Sequence, residues 1–155
     1  MNRRKLIEMS PEEIDVFLRE ERVAIASSIG PRGWPHSMPL WYVVRDGTIW
    51  AWTFRKSQKI KNLERDPRVT VLVEAGHEYS ELRGIQFEAE AIFHNDLEFV
   101  VDFAEELTTR YAPEGEKPSP EAMEAFRAQA AKRTVIEFKV VRTVSWDHRK
   151  LGGTY

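Results

Sequence analysis

FRKSQKIKNLERDPRV, residues 54–69, holds three lysines and three arginines in a chain whose net charge is only -2. Strand-like apolar alternation stops at Phe54 and resumes at Val69, so this segment leaves one strand and enters another. Between them Ile60 and Leu63 are three apart, the spacing of a short helix. Ser57 stands where an N-cap belongs, and Asp66-Pro67 ends the helix. A strand that turns into a helix N-terminus offers free backbone N–H groups and a favourable dipole to an anion. Ser57 Oγ, Arg55, Lys56 and Lys59 would add charge-assisted donors. A solvated helix face, with its lysines turned to water opposite Ile60 and Leu63, explains the same charge without a ligand.

The neighbouring residues supply the frame. RVAIASSI (22–29), HSMPLWYVV (36–44), TIWAWTF (48–54), RVTVLVE (68–74), ELRGIQFEAEAIF (81–93) and TVIEFKVVRTVSWD (134–147) read as six strands. Asp46-Gly47 is a two-residue hairpin turn. SPEEIDVFLRE (10–20) is a helix with Ser10 as cap, Pro11 at its first position and Glu13 completing a capping box. Further helices are expected from Asp96 to about Tyr111 and from Ser119 to about Arg133. Hairpin connections, with helices in runs rather than alternating with strands, predict an α+β fold built on a six-stranded antiparallel barrel. TIWAWTF is apolar on both faces, which calls for either a covering helix or a second subunit.

Composition narrows the function classes. A chain of 155 residues is one domain, spanning 1–155, and its 25 acidic and 23 basic residues nearly cancel. No global field recruits nucleic acid. Without cysteine there is neither a disulfide, a thiolate metal site nor a cysteine nucleophile. The start, MNRRKLIEMSPEE, lacks an apolar signal core, and no run of eighteen apolar residues occurs, so the expectation is a cytoplasmic protein without a membrane partner.

The form S-x-K-x-x-N-L-x-x-D-P-R-V of residues 57–69 resembles the phosphate-binding segment of the pyridoxamine-phosphate-oxidase-like split β-barrel family. The order of elements is similar from about Ile14 to Trp146: the first helix, VAIASSIGPRGWPHSMPLWYV, the Asp-Gly hairpin, the strand ending in Arg55-Lys56, LRGIQFEAEA and a closing strand. The resemblance implies a homodimer of split barrels with peripheral helices, binding two flavin-type cofactors in grooves between subunits. It also implies that the cofactor phosphate meets Arg55, Lys56, Ser57 and Lys59, with Pro39, Leu40, Trp41, Tyr42, Trp52 and Thr53 flanking the ring system. On spacing alone Trp41 reads somewhat better as an ordinary strand-core aromatic than as a cofactor contact. Lys61, two residues from Lys59 on a helix, faces elsewhere.

The chain ends SWDHRKLGGTY rather than in the Arg-Leu-x-Pro arrangement of the vitamin oxidase. The resemblance therefore implies the flavin/deazaflavin branch, with coenzyme F420 as cofactor, FMN as the alternative and a small organic molecule as hydride acceptor. Lys61, Arg65 and Arg149 are candidates for the deazaflavin's acidic tail. A flavin or haem carrier without turnover, and a dimeric interaction protein, remain alternatives. No catalytic residue is assigned from sequence. His36, His77, His94 and His148 lack metal spacing, which leaves His36, in the strand leading to the ring site, as the one histidine to test as a proton donor. The glycine-bearing tail is either a frayed end or a strap across a partner's groove.

Overall fold

The computed structural model describes residues 3–152, so Met1, Asn2 and the tail residues Gly153, Thr154 and Tyr155 lie outside it. After a short helix, α1 (Arg3–Leu6), comes α2 (Pro11–Glu20), opened by the expected box. Ser10 Oγ accepts from the Glu13 amide at 3.3 Å, while the Glu13 carboxylate accepts from the Ser10 amide at 2.7 Å. Phe17 and Leu18 point from one side of this helix into the core.

Seven strands follow: β1 (Ala24–Ile29), β2 (Pro35–Leu40), β3 (Tyr42–Arg45), β4 (Thr48–Phe54), β5 (Arg68–Ala75), β6 (Arg83–His94) and β7 (Arg133–Asp147). Helices α3 (Gln58–Arg65), α4 (Leu97–Tyr111) and α5 (Pro120–Ala130) interrupt them. All pairings are antiparallel, in the order β2-β1-β5-β6-β7-β4-β3.

Seven strands replace the six expected, because the apolar run 36–44 is two strands. Leu40 pairs with Ala24 of β1, whereas Tyr42 pairs with Ala51 of β4. The two ends of the sheet are therefore joined in the chain by Trp41 alone. Two Cα–Cα steps span at most roughly 7 Å, so the sheet has to curl until its first and last strands almost meet. Pro35 and Pro39 suit β2, an edge strand on which a missing N–H is tolerated. At Asp46-Gly47 both residues have positive φ, 51° and 71°, as a tight hairpin turn requires.

The inside of the curl holds the main core, including Phe17, Leu18, Tyr42, Ile49, Ala51, Ile60, Leu63, Val71, Ile85, Phe87, Ile136 and Phe138. A second core lies outside it, where Val100, Phe103 and Leu107 of α4 and Ala130 of α5 cover Val43 and Val135. Trp50 and Trp52 pack against this second core. The two-faced strand TIWAWTF is thus explained within one chain: Ile49 and Ala51 face the barrel, and its tryptophans face the helices. It gives no motive for a second subunit. Helix α5 ends at Ala130 rather than near Arg133, because Arg133 already pairs with Phe54 in the β4–β7 ladder.

β6 and β7 form the longest ladder, with one bulge where Glu88 pairs with Arg142 but Ala89 pairs with Val140, leaving Val141 extra and 71% exposed. The tail does not fray before Gly152. His148 Nδ1 lies 2.9 Å from the Tyr79 carbonyl, and Lys150 Nζ donates to the Glu8 carbonyl and the Glu13 carboxylate at 2.7 and 2.6 Å. These contacts bind the segment to its own chain. No helix among the described residues is long and apolar enough to cross a membrane.

Candidate anion and ring site

Helix α3 begins as the sequence predicts, with Ser57 at the N-cap in extended backbone (φ -68°, ψ 152°). Its hydroxyl makes no cap bond, although Ser57 Oγ is buried and without a partner. A buried hydroxyl beside the unpaired N–H groups of a first helical turn is a donor awaiting an acceptor. Two residues on, Lys59 is half-buried, and its Nζ donates to Thr53 Oγ1 at 3.0 Å. Burial alone holds this ammonium below the usual lysine pKa. Its hydrogen-bond partner is a neutral hydroxyl, so the charge is partly desolvated and uncompensated. Together these features fit an anion such as a phosphate.

The rest of the motif is structural. Asn62 is fully buried: its Nδ2 donates to Ser28 Oγ at 3.1 Å, and its Oδ1 accepts from Gln58 Nε2 at 2.8 Å. Leu63 joins the core, Arg65 donates to the Ile29 carbonyl, and Asp66 forms a forked pair with Arg68 that holds its carboxyl down to about 2. Lys56 and Lys61 are exposed. Arg55 does not point freely at a ligand, since its Nε and an Nη donate to the carbonyls of Arg133 and Asn95 at 2.7 and 3.1 Å. It clasps the end of β4 to β7 and to the loop before α4. Arg149 lies away from the α3 site of its own chain. It is forked onto Asp147 at the far end of β7, whereas Thr134 at the near end pairs with Thr53.

Of the residues expected around a ring, Trp52 is half-buried and edge-on to Phe126. Its indole is capped by Arg133, whose guanidinium carbon sits 4.2 Å from the Trp52 ring and 4.0 Å from the exposed Phe54 ring. Sequence reasoning missed Arg133 because the contact is made across the β4–β7 ladder. Pro39 is exposed, and Leu40 is partly buried against the core. Trp41 is 56% exposed rather than a core aromatic. Tyr42 is fully buried, and its hydroxyl donates to the carbonyls of Leu18 and Glu21 at 2.8 and 3.0 Å. Burial pushes its phenol pKa well up, and its side chain belongs to the core rather than to a ligand surface.

His94 has a carboxylate partner on β7. Its Nε2 lies 2.8 Å from Glu137 Oε2, 43 positions along the chain, and its ring stacks on Trp50. His36 is half-buried on β2 opposite Ser28, with its Nδ1 buried and unpartnered. Among the described residues no group of three or more His, Cys, Asp or Glu is placed to hold a metal ion.

Residues 10–147 match the pyridoxamine 5'-phosphate oxidase family. The chain is similar to the solved structure of conserved hypothetical protein Rv2991 from Mycobacterium tuberculosis, with 40% identity, a TM-score of 0.86, and coverage of 96% of this chain and 91% of that one. The fold is shared with a protein described as an F420 reductase, at 19% identity and TM-score 0.62, over 83% of this chain and 94% of that one. It is also shared with HutZ, the haem storage protein from Vibrio cholerae, at 16% identity and TM-score 0.65, over 90% and 96%. No curated protein sequence matches significantly.

Proposed function

Because this chain belongs to the pyridoxamine 5'-phosphate oxidase family, we propose that it is an oxidoreductase that anchors the phosphate of coenzyme F420 at the start of α3 and serves hydride transfer to a small organic acceptor. The observation that carries this reading is the pair formed by Ser57 and Lys59: a buried hydroxyl with no partner and a half-buried ammonium with no counter-charge, at one helix N-terminus. When bound, such a cofactor supplies the hydride chemistry itself. Ser57 and Lys59 would bind the phosphate, and Thr53 would steer the lysine. Trp41 and Trp52, with the backbone from Pro39 to Tyr42, would flank the ring and exclude water. FMN carries a comparable phosphate and tricyclic ring and is the alternative cofactor. A carrier of flavin or haem without turnover is the second reading, on a fold that the haem storage protein shares.

A homodimer remains part of the proposal, on a different surface from the one its sequence suggested. Ile25 and Ile29 of β1 are 36% and 41% exposed on the outside of the curl. They continue into an open groove of about 410 Å³ lined by Ser27, Thr70, Glu88 and Val141. A second copy is the occupant proposed for this face.

Titration of the purified protein with FMN and with coenzyme F420, followed by ring fluorescence and thermal stability, tests the function. Micromolar binding of coenzyme F420 supports it; tighter FMN binding promotes the alternative, and binding of neither overturns the reading. Oxidation of the reduced cofactor by candidate acceptors then separates enzyme from carrier. Sedimentation of only an 18.1 kDa species at working concentration would remove the dimer.

A further inference from the structure

Trp41, the one residue between β2 and β3, presents its two indole faces to different surroundings. One face is closed by Tyr111, the last residue of α4, at a centroid distance of 4.3 Å and an interplanar angle of 7°. With 56% of Trp41 exposed, the opposite face is open. Tyr111 is itself locked. Its hydroxyl lies 2.7 Å from the Arg22 carbonyl and 3.1 Å from the Tyr42 carbonyl, and it accepts from the Tyr42 amide at 2.9 Å. The guanidinium carbons of Arg22 and Arg110 lie 5.3 and 5.5 Å from its ring centre. Arg110 also donates at 2.8 Å to the carbonyls of Leu18 and Glu21, the two that the buried Tyr42 hydroxyl reaches. In return, Arg22 donates to the Arg110 carbonyl at 2.9 Å.

The web therefore ties the C-terminal ends of α2 and α4 to the backbone of Tyr42, directly after Trp41. Its consequence is an indole held at a fixed angle with one face bare. Preorganised aromatic surfaces bind planar ligands well, because the ordering entropy is already lost before the ligand arrives. The location suits the site at α3. Tyr42 pairs with Ala51, which sets Trp41 level with Trp52. Thr53, the partner of Lys59, is one strand over and one residue further, roughly 6 Å away by strand spacings.

We infer that Tyr111 is a positioning residue that presents the open face of Trp41 as a stacking platform for the planar ring of the ligand anchored at α3. This rests on the proposed function, and it adds a residue that neither the phosphate motif nor the expected ring contacts contained.

The test is FMN titration of the full chain and of Trp41→Leu, Tyr111→Phe and Tyr111→Leu, reading both affinity and the emission of the flavin at saturation. Inorganic phosphate is the competitor that monitors the anion site. Stacking of a nucleobase on an aromatic side chain contributes roughly 1–3 kcal/mol, so Trp41→Leu should weaken FMN binding about tenfold. It should also restore emission that the indole quenches in the parent protein. Tyr111→Leu should restore part of that emission, while Tyr111→Phe, which keeps the stack, should stay close to the parent. Phosphate competition should be unchanged throughout. Since Tyr111→Leu also opens the hydroxyl network, the Trp41 variant decides the matter if Tyr111→Leu does not fold. Parent-like affinity and emission in Trp41→Leu would overturn the platform while leaving the proposed function intact. Failure of the parent protein to bind either FMN or coenzyme F420 would overturn both.

Discussion

Lys59 reaches Thr53 and no carboxylate: among the described residues, its ammonium has a single hydroxyl at 3.0 Å as hydrogen-bond partner, and burial lowers its pKa. Lys150, at the far end of β7, instead pairs with Glu13. A cation left this way is stabilised when an anion arrives, since the desolvation cost has already been met in folding.

Replacing Lys59 with alanine should therefore weaken binding of the phosphate-bearing cofactor by about tenfold to a hundredfold, the equivalent of a charge-assisted hydrogen bond of roughly 1.5–3 kcal/mol. Ser57→Ala should cost less, roughly 0.5–1.5 kcal/mol, because a neutral hydroxyl is lost. Helix stability should barely change, since Ser57 makes no cap bond. Exposed Lys61→Ala is the control when FMN, which lacks the acidic tail, is the titrant. Fluorescence titration after a circular dichroism check gives the ranking, and equal, negligible effects would return the segment to a solvated face.

The same lysine sets a pH dependence. Its pKa is lowered in the ligand-free fold, and an anion beside it raises that pKa again, so binding takes up a proton wherever the free lysine has lost its own. Cofactor affinity should be full below the free-state pKa and fall as pH rises through it toward the value in the complex. In Lys59→Arg, which stays charged, the decline should vanish. Dissociation constants measured from neutral to alkaline pH check this.

Asn62→Ala should lower thermal stability while leaving cofactor affinity near the parent value at temperatures where the variant is folded. The substitution removes the link to Ser28 and the acceptor for Gln58 inside the core, at a cost of roughly 1–3 kcal/mol. A large affinity loss in a folded variant would contradict the structural role assigned to this part of the motif.

Gly84→Ala tests the longest ladder. A Cβ there would lie 2.4 Å from the Trp146 ring, its partner on β7, and overpacking of that kind costs roughly 1–3 kcal/mol. A lower midpoint in denaturant with an unchanged slope is expected, and an unaltered midpoint would show that Trp146 moves aside freely.

What could be read from sequence was local. The Ser10–Glu13 box, the Asp46-Gly47 turn and the start of α3 at Ser57 each depend on residues within four positions of one another, and the structure has all three. What escaped depends on distance along the chain. Asn62 finds Ser28 34 positions earlier, and His94 finds Glu137 43 positions later. HSMPLWYVV carries no turn residue at Trp41 to mark where one strand becomes two, because the break is imposed by partners on opposite edges of the sheet. Arg55 shows the same limit: its charge is visible in sequence, but the carbonyls that two of its donors reach belong to β7 and to the loop after β6.

The Trp41 joint also has a mechanical consequence. The seam between β2 and β3 is spanned by one residue, so its gape cannot widen at that point without dragging on both peptides of the tryptophan and, through Tyr111, on the end of α4. A molecule wedged there loads a short, stiff tether rather than a slack loop. Lengthening the tether by a few glycines would turn a rivet into a hinge, and the barrel would then open at that corner first.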